Sequence, residues 1–355
     1  MASEDAADFR LSVLNPGGRD PEQYFDEGAP PNATAHPPIN FHAFAACTFG
    51  SVHRETKSAI AEKAPVLLLI RGDFRATERA LTELKKNGRK VAVSFKESGL
   101  HQIAQQLSHR ARLARFLRIV AQADGCIATT PEAAEIYRRA RLPRDAAEVA
   151  FIPTPYPLED RQWDFTVPPN EQSGIFVGTR EWDVPSRNHA AALLLARELC
   201  QKSGESVTVF NLNGRKGARL LSELKFPSGK LRVIDKRKPY ADYLREIAKH
   251  KIVLQLDRSR VPGQVAGDAL LCRTICVGGD GAIERIAFAK FCGEGRTSEQ
   301  LSTIALELLK NTTARATAIV ESHWRAAERL SFPAVRKQLA IFFERLANPS
   351  FPEIR

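Results

Sequence analysis

Two short apolar runs, residues 252–256 and 274–277, enclose the segment Arg260-Val-Pro-Gly263-Gln-Val-Ala-Gly267-Asp268. Apolar runs of this length, bounded by turn residues, read as fully buried strands. Strand, glycine-bearing loop, helix opening near Asp268 and second strand make a parallel α/β unit. Parallel strands need a crossover and a helical cover on both faces, so this one segment commits its half of the chain to a layered α/β architecture. Such a unit takes ligands at the loop beyond the carboxyl end of its strand. The first amides of a helix lack partners and carry partial positive charge, which suits a phosphate.

The same alternation runs through the rest of the chain. In the first half, residues 41–48, 66–70, 90–95, 126–128 and 149–152 read as strands. Helices are expected over 55–62, 75–86, 100–107 and 112–123, and after the Thr130-Pro131 start signal. Asn87-Gly88 closes the second of these as a C-terminal cap. Residues 1–38, rich in Pro, Gly, Asp and Ala, read as an irregular leader. Prolines 153, 155, 157, 168 and 169 cannot occupy a central strand or a helix interior, so the domain boundary is placed there. Beyond it, strands at 174–177, 206–210 and 231–234 alternate with helices, and the chain ends in helices at 298–309, 313–329 and 333–346. The reading is an α/β protein of two Rossmann-like domains with parallel sheets, one over 39–165 and one over 166–332.

Composition narrows the class. The 355 residues are 43% hydrophobic and 26% charged, ordinary values for a globular protein. No apolar run approaches the roughly 20 residues of a membrane helix, and the Met-Ala-Ser-Glu-Asp start lacks the pattern of a secretory signal. A cytoplasmic protein is therefore expected, with its six cysteines as buried reduced thiols. The net charge of +11 gathers at 110–118, 138–144 and 236–238. Without an RNP motif, a zinc finger or aromatic-basic interleaving, nucleic acid is not an expected partner. The stretch 110–118 offers a peripheral seat on an anionic membrane at its inner face, but Leu113, Phe116 and Leu117 are assigned to the core.

Five landmarks in one order carry a resemblance. They are Ile152-Pro153; Ile175-Phe-Val-Gly178-Thr-Arg180 with Arg187-Asn188-His189; Arg260 to Asp268; Gly278-Gly279 with Glu284; and Leu330-Ser-Phe332. Over residues 125–346 they resemble the retaining GT-B-fold glycosyltransferases of the family 4 type. There they correspond to the "IPNG" exit from the first domain, the "VGRL…KNH" opening of the donor domain, the Glu-x7-Glu segment, the "GG…E" closure and the "FSW" before the last helix. The resemblance implies transfer of a sugar from a nucleotide-sugar donor, UDP- or GDP-linked, to a glycan, lipid-linked or small-molecule acceptor, with retention and without a metal or other cofactor. It implies that Arg180 and Arg187 hold the diphosphate, that the backbone of Gly263, Gln264 and Val265 approaches it, and that Asp268 holds the ribose hydroxyls. Lys236 and Arg237 fall where the family's base-binding loop lies, but they are read first as a solvated charge run. The last helix, within 333–355, would cross back to the first domain.

Two departures stand out. The first Glu of the family segment is Arg260, which reverses the charge beside the donor sugar and suggests either an acidic sugar or lost turnover. No glycine-rich first loop is evident, and Phe49-Gly50-Ser51 is the nearest candidate. Acceptor contacts are expected from Arg71, Asp73, Lys96, Glu97 and His101 at strand ends, with His101 and Glu97 as the candidate catalytic pair. The competing reading is a GT-B scaffold that binds a nucleotide sugar, glycan or partner without turnover. A dinucleotide-dependent oxidoreductase is disfavoured, because no GxGxxG follows a strand.

Overall fold

The computed structural model describes residues 8–31, 36–142, 148–178 and 182–348. Chain contacts divide it into two units. The first holds Met1–Pro30, Thr34–Pro157 and Leu330–Arg355, and the second holds Leu158–Arg329 with the short piece Pro31–Ala33.

The first unit contains β1 (Ser12–Leu14), β2 (Gln23–Tyr24), α1 (Phe41–Ala46), β3 (Ser51–His53), α2 (Thr56–Ala61), β4 (Val66–Ile70), α3 (Arg75–Lys86) and β5 (Val91–Phe95). It continues with α4 (Leu100–Leu107), α5 (Arg110–Gln122), β6 (Gly125–Ala128), α6 (Pro131–Arg141) and β7 (Val149–Phe151). The strands form one sheet in the order β2-β3-β1-β4-β5-β6-β7, parallel except for the edge strand β2. Both faces are covered, as a parallel sheet requires. On β4, Leu68 and Ile70 join one core with Phe95 and Phe116, while Leu67 and Leu69 join the other with Phe44 of α1. Strand side chains alternate between faces, so one unbroken apolar run serves both cores.

Two expectations are corrected here. Residues 1–38 are not all irregular. Ser12-Val-Leu14 supplies β1, which lies inside the sheet between β3 and β4. Residues 41–48 are not a strand but the buried helix α1 followed by a turn. Apolar side chains on every side of so short a segment fit a covered helix and a central strand alike.

The second unit contains β8 (Ile175–Val177), α7 (His189–Ser203), β9 (Val207–Phe210), α8 (Gly214–Glu223), β10 (Leu231–Ile234), α9 (Tyr240–Ala248) and β11 (Ile252–Leu254). Then follow α10 (Gln264–Leu271), β12 (Ile275–Val277), α11 (Ala282–Ala287), α12 (Ser298–Lys310) and α13 (Thr312–Leu330). Its sheet runs β10-β9-β8-β11-β12, all parallel.

The chain leaves the first unit after Pro157 and rejoins it at Leu330, where the Tyr156 amide donates to the Leu330 carbonyl at 2.7 Å. The last helix, α14 (Phe332–Ala347), then buries Val335, Leu339, Phe342 and Phe343 in the core beside α1. It thus crosses back as expected. Arg336 fastens it by donating to the Cys47 carbonyl at 2.6 Å and stacking over Phe49. All six cysteines are free and buried.

Candidate functional site

In the second sheet the strand order reverses between β8 and β11. Loops leaving the carboxyl ends of such a pair turn to opposite faces and open a crevice, the usual ligand site of an open α/β sheet. The loop after β8 begins at Gly178, whose bare α-carbon abuts Val265 and Val253, so a Cβ there would collide with α10. The two loops are stitched together. Asn188 Nδ2 donates to the Leu256 carbonyl at 3.0 Å, the Arg258 amide donates to the Ser186 carbonyl at 2.8 Å, and the Ser186 and Ser259 hydroxyls meet at 2.7 Å. Within this frame Arg187 forms an ion pair with buried Asp257, which also accepts the Ser259 amide at 2.7 Å. A cavity of about 320 Å³ adjoins these loops, lined by Asn188, Asp257, Arg258, Gly279 and Ser298 among others. That lies at the small end of the range for small-molecule sites.

The helix after β11 starts earlier than the sequence suggests. Gly263 is its N-cap, at φ 97°, and Gln264 and Val265 form its first turn. The glycine is required twice over: its φ is in the left-handed region, and the carboxyl of Glu284 occupies the space a Cβ would fill. The close approach at Gly263 is therefore made by a side chain of α11. Glu284 is buried and accepts from Gln255 Nε2 at 2.5 Å, while its Oε2 has no hydrogen-bond partner. Burial pushes its carboxyl up to about 8, and the nearby Asp257 and Asp280 push in the same direction. At neutral pH Glu284 therefore carries a proton.

Other expected residues fall as follows. Arg180 lies outside the described residues. Arg260, at φ 48°, is held by carboxylates on two sides: Nε lies 3.5 Å from Asp280, and Nη1 donates to Glu294 at 3.0 Å. Its charge is thus offset within the protein. Asp268 is not at the helix start. It lies in the second turn of α10, is fully buried and accepts the Tyr240 hydroxyl at 2.5 Å. Lys236 and Arg237 follow β10 and are exposed.

In the first unit the carboxyl end of β1 leads into Asn15-Pro-Gly17-Gly18, with Gly17 at φ 68°. Arg71, beyond β4, donates to the Gly17 carbonyl at 3.1 Å. This glycine-bearing turn after β1 is one that the sequence reading did not single out. Phe49-Gly50-Ser51 lies instead at the amino end of β3, at the opposite end of the strands from Gly17, where Gly50 packs on the Leu11 carbonyl. The missed signal was Leu11-Ser-Val-Leu14 followed by Asn15-Pro16 and two glycines. Glu97 is exposed in the loop after β5, and His101 is half-buried in the first turn of α4 with Nδ1 buried and without a hydrogen-bond partner. Both candidate catalytic residues thus follow β5 at its carboxyl end.

No protein-family model matches the sequence, and no curated protein does. Solved structures do match. The Anabaena Alr3699/HepE protein, solved in complex with UDP, superimposes with a TM-score of 0.63 at 12% identity, covering 95% of this chain and 100% of that one. An α,α-trehalose 6-phosphate synthase from Burkholderia multivorans has a TM-score of 0.63 at 9% identity, covering 98% and 99%. A UDP-N-acetylglucosamine 2-epimerase homologue from Listeria monocytogenes has a TM-score of 0.51 at 15% identity, covering 84% and 79%. The fold is therefore that of the GT-B glycosyltransferases, with two Rossmann-like domains. Among the described residues no helix is long and apolar enough to cross a membrane.

Proposed function

We propose that the protein is a glycosyltransferase that uses a nucleotide-sugar donor, UDP- or GDP-linked, held at the β8/β11 crevice of the second unit. The observation that carries this reading is the N-terminal turn of α10 at the strand-order reversal, backed by a protonated Glu284. Transfer releases a diphosphate, and catalysis consists largely of stabilising that departing charge. The amide end of α10 supplies fixed positive potential there. A neutral Glu284 leaves that potential intact and can donate a hydrogen bond, whereas an ionised one would repel the phosphate. Arg187, oriented by its ion pair with Asp257, and Arg180 are assigned to the diphosphate on the strength of the resemblance. Retention without a protein nucleophile or a metal follows from the family 4 resemblance and belongs to the same proposal. The acceptor, a glycan or lipid-linked molecule, is assigned to the Asn15–Gly18 loop, Arg71, Glu97 and His101. Incubation with a panel of UDP- and GDP-sugars plus acceptor extracts should release nucleoside diphosphate with one donor class. No release with any donor contradicts turnover.

One observation favours a second reading, a scaffold that binds nucleotide without transfer. The carboxylate expected beside the donor sugar is absent, and Arg260 in its place is committed to Asp280 and Glu294. Saturable nucleotide binding without diphosphate release would select this reading.

The site of action proposed is the inner face of an anionic membrane. The structure alters the expectation for α5: Phe116 is buried, but Leu113 and Leu117 are 39% and 42% exposed on a helix that also displays Arg110 and Arg118. Apolar and basic side chains together on one exposed helix are what interfacial binding uses.

A further inference from the structure

Away from the donor crevice, three side chains from separate segments of the first unit converge. Asp20 follows the Asn15–Gly18 loop, His36 lies on the connection to α1, and His42 is on α1 itself. One ligand atom from each lies within 4.8 Å of the others. The two imidazoles stack with ring centroids 3.7 Å apart. His42 is only 7% exposed, and its Nε2 is buried with no hydrogen-bond partner. An orphaned buried ring nitrogen is costly and calls for a missing water or ion. His36 is already oriented: its Nδ1 is 2.9 Å from the Pro37 carbonyl, which can only accept, so Nδ1 carries the proton and Nε2 keeps its lone pair. A backbone carbonyl on the second nitrogen is the usual way a ligating histidine is held.

We propose that Asp20, His36 and His42 form a binding site for one divalent transition-metal ion of the zinc class. Two imidazoles and a carboxylate suit zinc and its borderline neighbours, and are a poor match for magnesium, which prefers an all-oxygen, largely hydrated shell. Three protein ligands leave a fourth position for water or another oxygen donor. Donors on one zinc, at about 2.0–2.1 Å from it, lie roughly 3.3 Å apart. Loading therefore draws the three inward and tilts the stacked rings apart. The bound ion would tie the β1 loop and the connection to α1 onto the helix that underlies the sheet. This role is independent of the sugar-transfer reading.

The test uses the full chain, stripped with chelator and titrated with Zn2+, Co2+ or Mg2+. One equivalent of Zn2+ should bind, Co2+ should give visible d–d absorption with an imidazole signature, and Mg2+ should do neither. Asp20 and His36 are only partly buried, so Asp20→Asn and His36→Ala should keep the far-UV circular dichroism of the parent. Each should weaken zinc at least about tenfold, and Zn2+ should raise Tm in the parent but not in His36→Ala. Zinc affinity and cobalt spectrum unchanged in both variants would overturn the assignment, as would binding of less than one equivalent by the parent.

Discussion

Glu284 is the residue on which the site turns. Sequence reading marked it only as the end of a "GG…E" pattern; its meaning comes from being sealed between Gln255, Gly263 and Gly281. Its carboxyl titrates at about 8 in the folded chain against an ordinary 4.5. Between those values the unfolded chain has lost the proton and the folded chain keeps it, so stability contributed at this position falls as pH rises through that window. Glu284→Gln cannot ionise. The variant's Tm, relative to the parent, should therefore be clearly higher above about pH 8 than near about pH 5. An equal difference at both values would mean that the carboxyl is not held protonated. Arg260 and Asp268 teach the complementary lesson. Their positions in the chain were legible, but Asp280, Glu294 and Tyr240, which decide what they do, come from distant segments that spacing does not bring together.

At the level of elements, apolar runs set between recognisable helices were legible, and one inside a turn-rich stretch was not. Val66–Ile70 and Ile252–Leu254 read correctly because a strand buried on both faces has no polar positions to blur it. Strand β1 was missed because the Pro-, Gly- and Asp-rich composition of residues 1–38 reads as irregular, although the strand sits inside the sheet between β3 and β4. The start of α10 was placed late because Gly263 caps it without a side-chain signal. Helix α5 is the element whose exposure differs most from expectation, and it makes its own prediction. Liposomes with anionic lipid should carry the protein in flotation, neutral liposomes should not, and Leu113→Glu with Leu117→Glu should abolish the effect. Flotation that ignores lipid charge or these substitutions would confine Leu113 and Leu117 to another role.

For the whole molecule, the two α/β units were legible from alternation and from the proline-rich break, although the structure divides at Pro157–Leu158, ahead of residue 165. The return of the chain at Leu330 adds α14 to the first core, a connection that only the resemblance suggested. The central claim is that the crevice of the second unit binds a nucleotide through the amide end of α10. Gln264→Glu tests it most directly, because a carboxylate in the first helical turn favours the helix dipole while repelling a phosphate. Calorimetric titration with UDP, GDP, ADP and CMP should show saturable one-to-one binding of one nucleotide diphosphate by the parent. In the variant that binding should weaken at least about tenfold, worth about 1.4 kcal/mol, with Tm unchanged or raised. No binding of any nucleotide by the parent, or equal affinity in the variant, would contradict the account.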